Sequence, residues 1–299
     1  MSDYASVSSY LEDNYGLTDS ILSLDTTNAK YGFTLREAIA QIDKLKLANN
    51  AAGYSKAANI LAKTNWFKNY GVEITNRLSQ EKTSPGNFKR FVDKNALTIK
   101  SQANALGFDL DPAEITAIAR DAYIYGDAYS PETVVQKIVS AGKITGGQAV
   151  DAMDALKTHG ANMGVTHNDK WYEAAARDIA ENNSTVNDWK TKINDIAKSK
   201  YSWAADQIDA GQNVKQIASP YITSMSNILE LPPDTINLTD PTINKALTSL
   251  DKENKQTLQP LWEFETSLRK DPRWAKTKNA RDTLDAGARK ILSDFGLVS

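Results

Sequence analysis

The sequence predicts an all-α fold, multi-helical, in two helical lobes of capped short-to-medium helices. Three observations carry that prediction. Six of the nine prolines follow a Ser or Asp, at Ser84-Pro85, Asp111-Pro112, Ser130-Pro131, Ser219-Pro220, Asp240-Pro241 and Asp271-Pro272. An oxygen at the first position accepts from the orphan N–H groups of a first helical turn, and the proline gives up an N–H that had no partner. Gly107, Gly126, Gly142 and Gly211 follow runs of helical period, where glycine adopts a stop conformation cheaply. Between these marks apolar residues recur at three- and four-residue steps, which leaves little chain for strands.

Residues 1–33 are rich in Ser, Asp and Tyr without a sustained period, and read as an N-terminal arm with one short helix around Tyr4 to Tyr15. Such an arm commonly docks on something else. Thr34-Leu35-Arg36-Glu37 is a capping box opening a helix to about Ala48, with Leu35, Ala38, Ile39, Ile42 and Leu45 on one stripe. A longer helix runs from Pro85 to Leu106, the next starts at Asp111-Pro112-Ala113-Glu114, another at Ser130-Pro131-Glu132, and Thr145-Gly146-Gly147-Gln148 precedes Ala149 to Lys157.

The glycines of Gly160 to Gly164 mark the lobe boundary, giving lobes 34–160 and 161–299. Helices are then expected over about Asp169 to Glu181 and Ser184 to Ala210. Val214 to Leu229 bends at Ser219-Pro220, and Leu231-Pro232-Pro233-Asp234 forces extended chain. The last three helices are Asp240 to Leu250, Gln259 to Arg269, and one from Asp271-Pro272 to Phe295. Trp66-Phe67 ahead of Gly107 and Trp171-Tyr172 ahead of Gly211, each followed by Ile-Ala, suggest a degenerate internal repeat; generic helix chemistry explains the same pattern.

With 299 residues, 41% hydrophobic and 24% charged, the chain has the composition of a folded globular protein rather than a disordered one. A net charge of −2 offers no long-range attraction to phosphate. Zero cysteines exclude disulfides, thiolate zinc sites and cysteine nucleophiles. Neither a secretory signal nor a transmembrane segment is expected from the residues after Met1 or from any apolar run.

Candidate chemistry is sparse. His159 and His167, with Asp169 close by, are not at the spacing of a helical zinc pair. Glu263 and Glu265 beside Trp262 and Phe264 have the residue types of a sugar-cleaving site, but positions two apart point to different sides of a helix. Asp151 and Asp154 read as a solvated face. Gly142 to Gly147 does not match a phosphate loop, because Lys143 precedes the glycine pair. The six tryptophans fall on helix faces, as core or subunit-contact anchors. No catalytic residue, metal ligand or cofactor site is assigned.

One interaction surface is. From Arg269 to Lys290 eight cations face Asp271, Asp282 and Asp285, a local charge of +5, and Arg269, Lys270, Arg273, Lys276, Lys278 and Arg281 are its candidate residues. They suit DNA phosphates, anionic lipid or an acidic partner, or form the wet side of an amphipathic helix carrying Trp274, Leu284, Ile291 and Leu292.

The C-terminal half contains Ser219-Pro220-Tyr221-Ile222, Leu229-Glu230-Leu231, Thr235-Ile236-Asn237-Leu238-Thr239-Asp240-Pro241-Thr242-Ile243, Phe264-Glu265, Leu268-Arg269-Lys270-Asp271-Pro272-Arg273-Trp274 and Asp294-Phe295-Gly296-Leu297. This series resembles a recurrent ending of virion structural proteins of actinobacterial tailed bacteriophages. Trp66-Phe67 and Leu106-Gly107-Phe108-Asp109-Leu110 are similar to helical modules of the same group, so the likeness covers about two thirds of the chain. The resemblance implies a non-enzymatic particle component, internal or in the neck or tail, with roles in assembly or genome ejection. It implies no cofactor, and as partners other virion proteins, copies of the same chain and phage DNA. The virion would be its location after synthesis in the host bacterial cytoplasm. Relatives are often longer, with peptidoglycan-cleaving domains that have no recognisable counterpart here. A phage-associated cell-wall hydrolase is the alternative; it requires a general-acid glutamate in a groove, and no lysozyme-like or transglycosylase motif surrounds Glu173, Glu181, Glu230 or Glu263, while a DNA-binding ejection or packaging protein using the basic C-terminal helix is the further one.

Overall fold

The structure is a computed structural model that describes residues 4–17 and 33–294. It is all-α. Among the described residues the only strands are two antiparallel ribbons, β1 (Phe108–Asp109) with β2 (Lys143–Ile144) and β3 (Ser249–Leu250) with β4 (Gln256–Thr257). No described helix is long and apolar enough to cross a membrane.

The chain divides into two compact units, Met1–Val150 and Asp151–Ser299. Both this division and the boundary expected at 160/161 lie within the helix Gly147–Met163, which Gly160 does not break. It lets the chain fold back: a Cβ at Gly160 would stand 2.5 Å from the Val165 carbonyl oxygen. The helix stops at Gly164, whose φ of +66° permits the Val165 N–H to reach the Gly160 carbonyl at 2.9 Å.

In the first unit the helices are α1 (Val7–Tyr15), α2 (Leu35–Leu45), α3 (Ala51–Leu61), α4 (Val72–Thr83), α5 (Pro85–Leu106), α6 (Pro112–Tyr125) and α7 (Pro131–Ala141), with a π-helical turn over Phe67–Gly71. The described part of the arm does not stand apart. α1 packs on α3 and α4, burying Leu11, and Tyr10 stacks on Tyr54 at 4.2 Å. Burial among these rings pushes the Tyr15 hydroxyl up to about 12. α5 lies along α6, and Gly107 closes their connection with φ of +91°; a Cβ there would meet the Gly146 carbonyl oxygen at 1.8 Å. α3 and α4 have no counterpart in the sequence reading.

The second unit contains α9 (Asp169–Ala180), α10 (Val186–Lys200), α11 (Ala205–Asp209), α12 (Val214–Ile217), α13 (Ser219–Leu229), α14 (Pro241–Leu247), α15 (Leu261–Leu268) and α16 (Lys278–Asp294), after α8 (Gly147–Met163). Its core gathers Leu156, Ile193, Tyr201, Met225, Phe264 and Leu268. The single helix expected over 184–210 breaks at Tyr201, which leaves helical geometry with its side chain fully buried. Chain bending at Ser219-Pro220 is present, with Ala218 between α12 and α13. The helix expected from Asp240 ends at Leu247, because Ser249–Leu250 pairs as β3. Between Trp66 and Gly107 lie the π turn and two helices, whereas Trp171 sits within a helix followed by two more before Gly211.

Candidate functional site

Asp271-Pro272 does not start the last helix. The Asp271 carboxylate instead accepts from the Arg273 backbone N–H at 2.9 Å and from its guanidinium at 2.6 and 3.0 Å. Arg273 also reaches Asp240 at 2.6 Å and the Thr242 hydroxyl at 3.0 Å. The guanidinium hydrogen bonds hold the Asp271 carboxyl far below the usual carboxylate range and raise the Arg273 pKa. Asp240 caps α14 with one oxygen, accepting from Thr242 N–H, while the other takes Arg273. Of the six basic candidates, Arg273 is thus spent on a clasp between the segment before α16 and the start of α14.

The other five are exposed. Arg269 ends α15 and Lys270 follows it; Lys276 lies in the 3₁₀ turn Trp274–Lys276. Lys278 and Arg281 occupy the first turns of α16, which begins behind the Thr277 hydroxyl, an acceptor for Ala280 N–H at 3.0 Å. Glu230 supplies a second cap from outside the helix. Its two carboxylate oxygens accept from Lys278 N–H at 2.8 Å and Asn279 N–H at 2.9 Å, which lowers its pKa, with the Lys278 and Arg281 charges adding to the effect.

Beyond that first turn α16 leaves the body. Ala280 is its buried residue, while Leu284, Ile291 and Leu292 are 68%, 58% and 39% exposed. A cleft of about 560 Å³ runs beside it, walled on the helix side by Asn279, Asp282, Thr283 and Ala286 and on the body side by residues including Arg269 and Trp274. Asn279, Asp282, Thr283 and Ala286 thus face the cleft, while Leu284 and Ile291 stay exposed on the side that Ala280 buries one turn earlier.

The remaining candidates are not brought together. His159 Nε2 is 2.7 Å from Asn194 Oδ1, His167 stacks on Trp171 at 3.9 Å, and Asp169 pairs with Lys157 at 2.9 Å. Burial lowers the His167 pKa. Phe264 is buried, Trp262 stands 68% exposed, and Glu265 accepts from the Ser224 hydroxyl at 2.8 Å. Asp151 and Asp154 are exposed. Among the described residues no three acidic or histidine side chains form a metal-binding group. Sequence reasoning missed Glu230 as a helix cap and Asp240 as a partner of Arg273. Both contacts join residues more than thirty positions apart, and no local spacing announces them.

No protein-family model matches the chain, and no curated protein or solved structure matches it either.

Proposed function

We propose that this chain is a non-enzymatic structural protein of a tailed-bacteriophage particle, an internal, neck or tail component that assembles with its own copies and with other virion proteins. The observation that carries the reading is the apolar stripe of α16, turned to solvent from a helix anchored only at its first turn. A side chain such as Leu284 gains stability only when a partner removes it from water, so the free chain presents a face made for assembly. The resemblance of the C-terminal segments to phage virion proteins supplies the particle, and with it a location in the virion. Mass spectrometry of purified particles tests this reading: the chain is expected in several copies per particle, and its absence from particles would remove the proposal.

A contact with phage DNA is the second reading, favoured by the exposure of Arg269, Lys270, Lys276, Lys278 and Arg281 around one end of α16. Its binding should weaken steeply with salt, because phosphate contacts release counterions. The hydrolase alternative draws less support. Glu230, one of its four candidate acids, has its carboxylate occupied by two N–H groups and its pKa lowered, whereas a general acid requires a raised one.

A further inference from the structure

We propose that His167 makes the corner between α8 and α9 an acid-sensitive joint: its neutral ring closes the corner by lying on Trp171, and its protonated ring leaves that place and loosens it. His167 stands directly before Asn168, whose side chain caps α9 by accepting from the Trp171 N–H at 3.0 Å. A residue just ahead of the cap often staples the chain by packing on the fourth residue of the helix, and an apolar surface suits that contact. His167 fills this role. Its ring meets Tyr172 edge-on with centroids 6.1 Å apart, its backbone N–H donates to the Tyr172 hydroxyl at 3.4 Å, and its face lies on Trp171 at 3.9 Å. Trp171 in turn packs at right angles on Trp189 of α10, so the stack ties the corner to the next helix.

A proton has no place in this stack. Nε2 of His167 is buried and has no hydrogen-bond partner among the described residues. A neutral imidazole tolerates that as a bare acceptor, whereas both nitrogens of an imidazolium must donate. The charges nearby do not offset it. Lys157 of α8 is paired with Asp169 of α9 at 2.9 Å, and the Asp154 charge adds to that pairing. From α10 come two cations, Lys200 with its ammonium 2.8 Å from the Gly164 carbonyl oxygen and Lys192 seated over the Trp189 ring. His159 of α8 is held to Asn194, and Lys170 and Glu173 of α9 are exposed. The positive end of the α9 dipole also disfavours a cation at its start. Burial lowers the His167 pKa, and among the described residues no carboxylate raises it.

Because the folded-state value lies below the ordinary 6.5, the stability that the neutral ring contributes is present above about pH 6.5 and is lost as pH falls toward the folded value. The inference stands independently of the virion reading. The chain has two histidines, so nuclear magnetic resonance of the imidazole protons in the full chain resolves each titration, and His159→Gln assigns them. His167 is expected to titrate below 6.5. Acidification from about pH 7.5 to about pH 4.5 is expected to shift tryptophan emission to the red with the same midpoint, as Trp171 loses its cover. Neither readout needs a variant. His167→Phe keeps a flat ring for Trp171 and cannot take a proton; it is expected to retain the neutral-pH emission maximum and to lose the acid shift. A His167 midpoint at or above 6.5, a wild-type emission that does not follow that midpoint, or an acid shift undiminished in His167→Phe would each overturn the joint.

Discussion

Helix Val7–Tyr15 and helix Lys278–Asp294 are both short, amphipathic and capped by a hydroxyl residue, Ser6 in one and Thr277 in the other. Their apolar sides meet different fates. Leu11 of the first is 3% exposed, and Tyr10 and Tyr15 are enclosed by Tyr4, Tyr54 and Phe67. Leu284 and Ile291 of the second face water, and a glutamate from elsewhere in its unit fastens only the first turn. The difference teaches that amphipathic period states a helix's need for a partner, while only the tertiary contacts say whether the partner lies within the chain.

The strongest way to break this comparison is Leu11→Ala. Loss of a buried leucine should destabilise the first unit by about 3 kcal/mol in chemical denaturation, whereas Leu284→Ala at an exposed site should stay within about 0.5 kcal/mol in the monomer. Equal effects would mean that the two helices are alike after all. Arg273→Gln comes next, since it releases Asp240 and Asp271 together; with the arginine side chain 37% exposed, solvent screening holds the expected loss to about 1–2 kcal/mol.

The same variant carries a pH signature. Asp271 has a depressed folded-state pKa, so its contribution is present above the unfolded value of about 4 and is lost as pH falls from there toward the folded value. Wild-type stability should therefore drop on acidification below about pH 4, and Arg273→Gln should flatten that part of the curve. A smaller effect, up to about 1 kcal/mol of added helix stability, is expected for Gly287→Ala, read as increased far-ultraviolet helical signal. Least of all, Glu230→Gln should leave the global unfolding midpoint nearly unchanged while amide exchange at Lys278 and Asn279 accelerates. Unaltered exchange there would remove Glu230 as the fastening of the terminal helix.

Much of the helical layout was legible in the chain. Ser130 and Asp111 cap as their Pro-following positions promise, Thr34 and Glu37 form the reciprocal box, and Gly107 stops α5 in the left-handed conformation. Asp271 accepts from the backbone N–H two residues on, as Asp240 does, but only the 3₁₀ turn Trp274–Lys276 follows it and the last helix begins at Lys278. α3 and α4 were missed for another reason: neither has the Ser/Asp-Pro start; α3 is rich in alanine and is capped by Asn50 accepting from Gly53 N–H, and α4 continues from the π turn with no side-chain cap. The terminal helix was recognised as amphipathic with a basic side, yet nothing in its period gave the direction in which the stripe points. Phe295 and Gly296, expected as its end, lie outside the described residues.

What the amino-acid order determined by itself is where the rods begin and stop, because caps, prolines and glycines act within four residues of where they stand. Which apolar face is covered, which aspartate binds Arg273 and which glutamate holds the last helix were decided by tertiary structure. Those outcomes depend on free-energy differences between groups far apart along the chain, and they exist only after folding has brought the groups together.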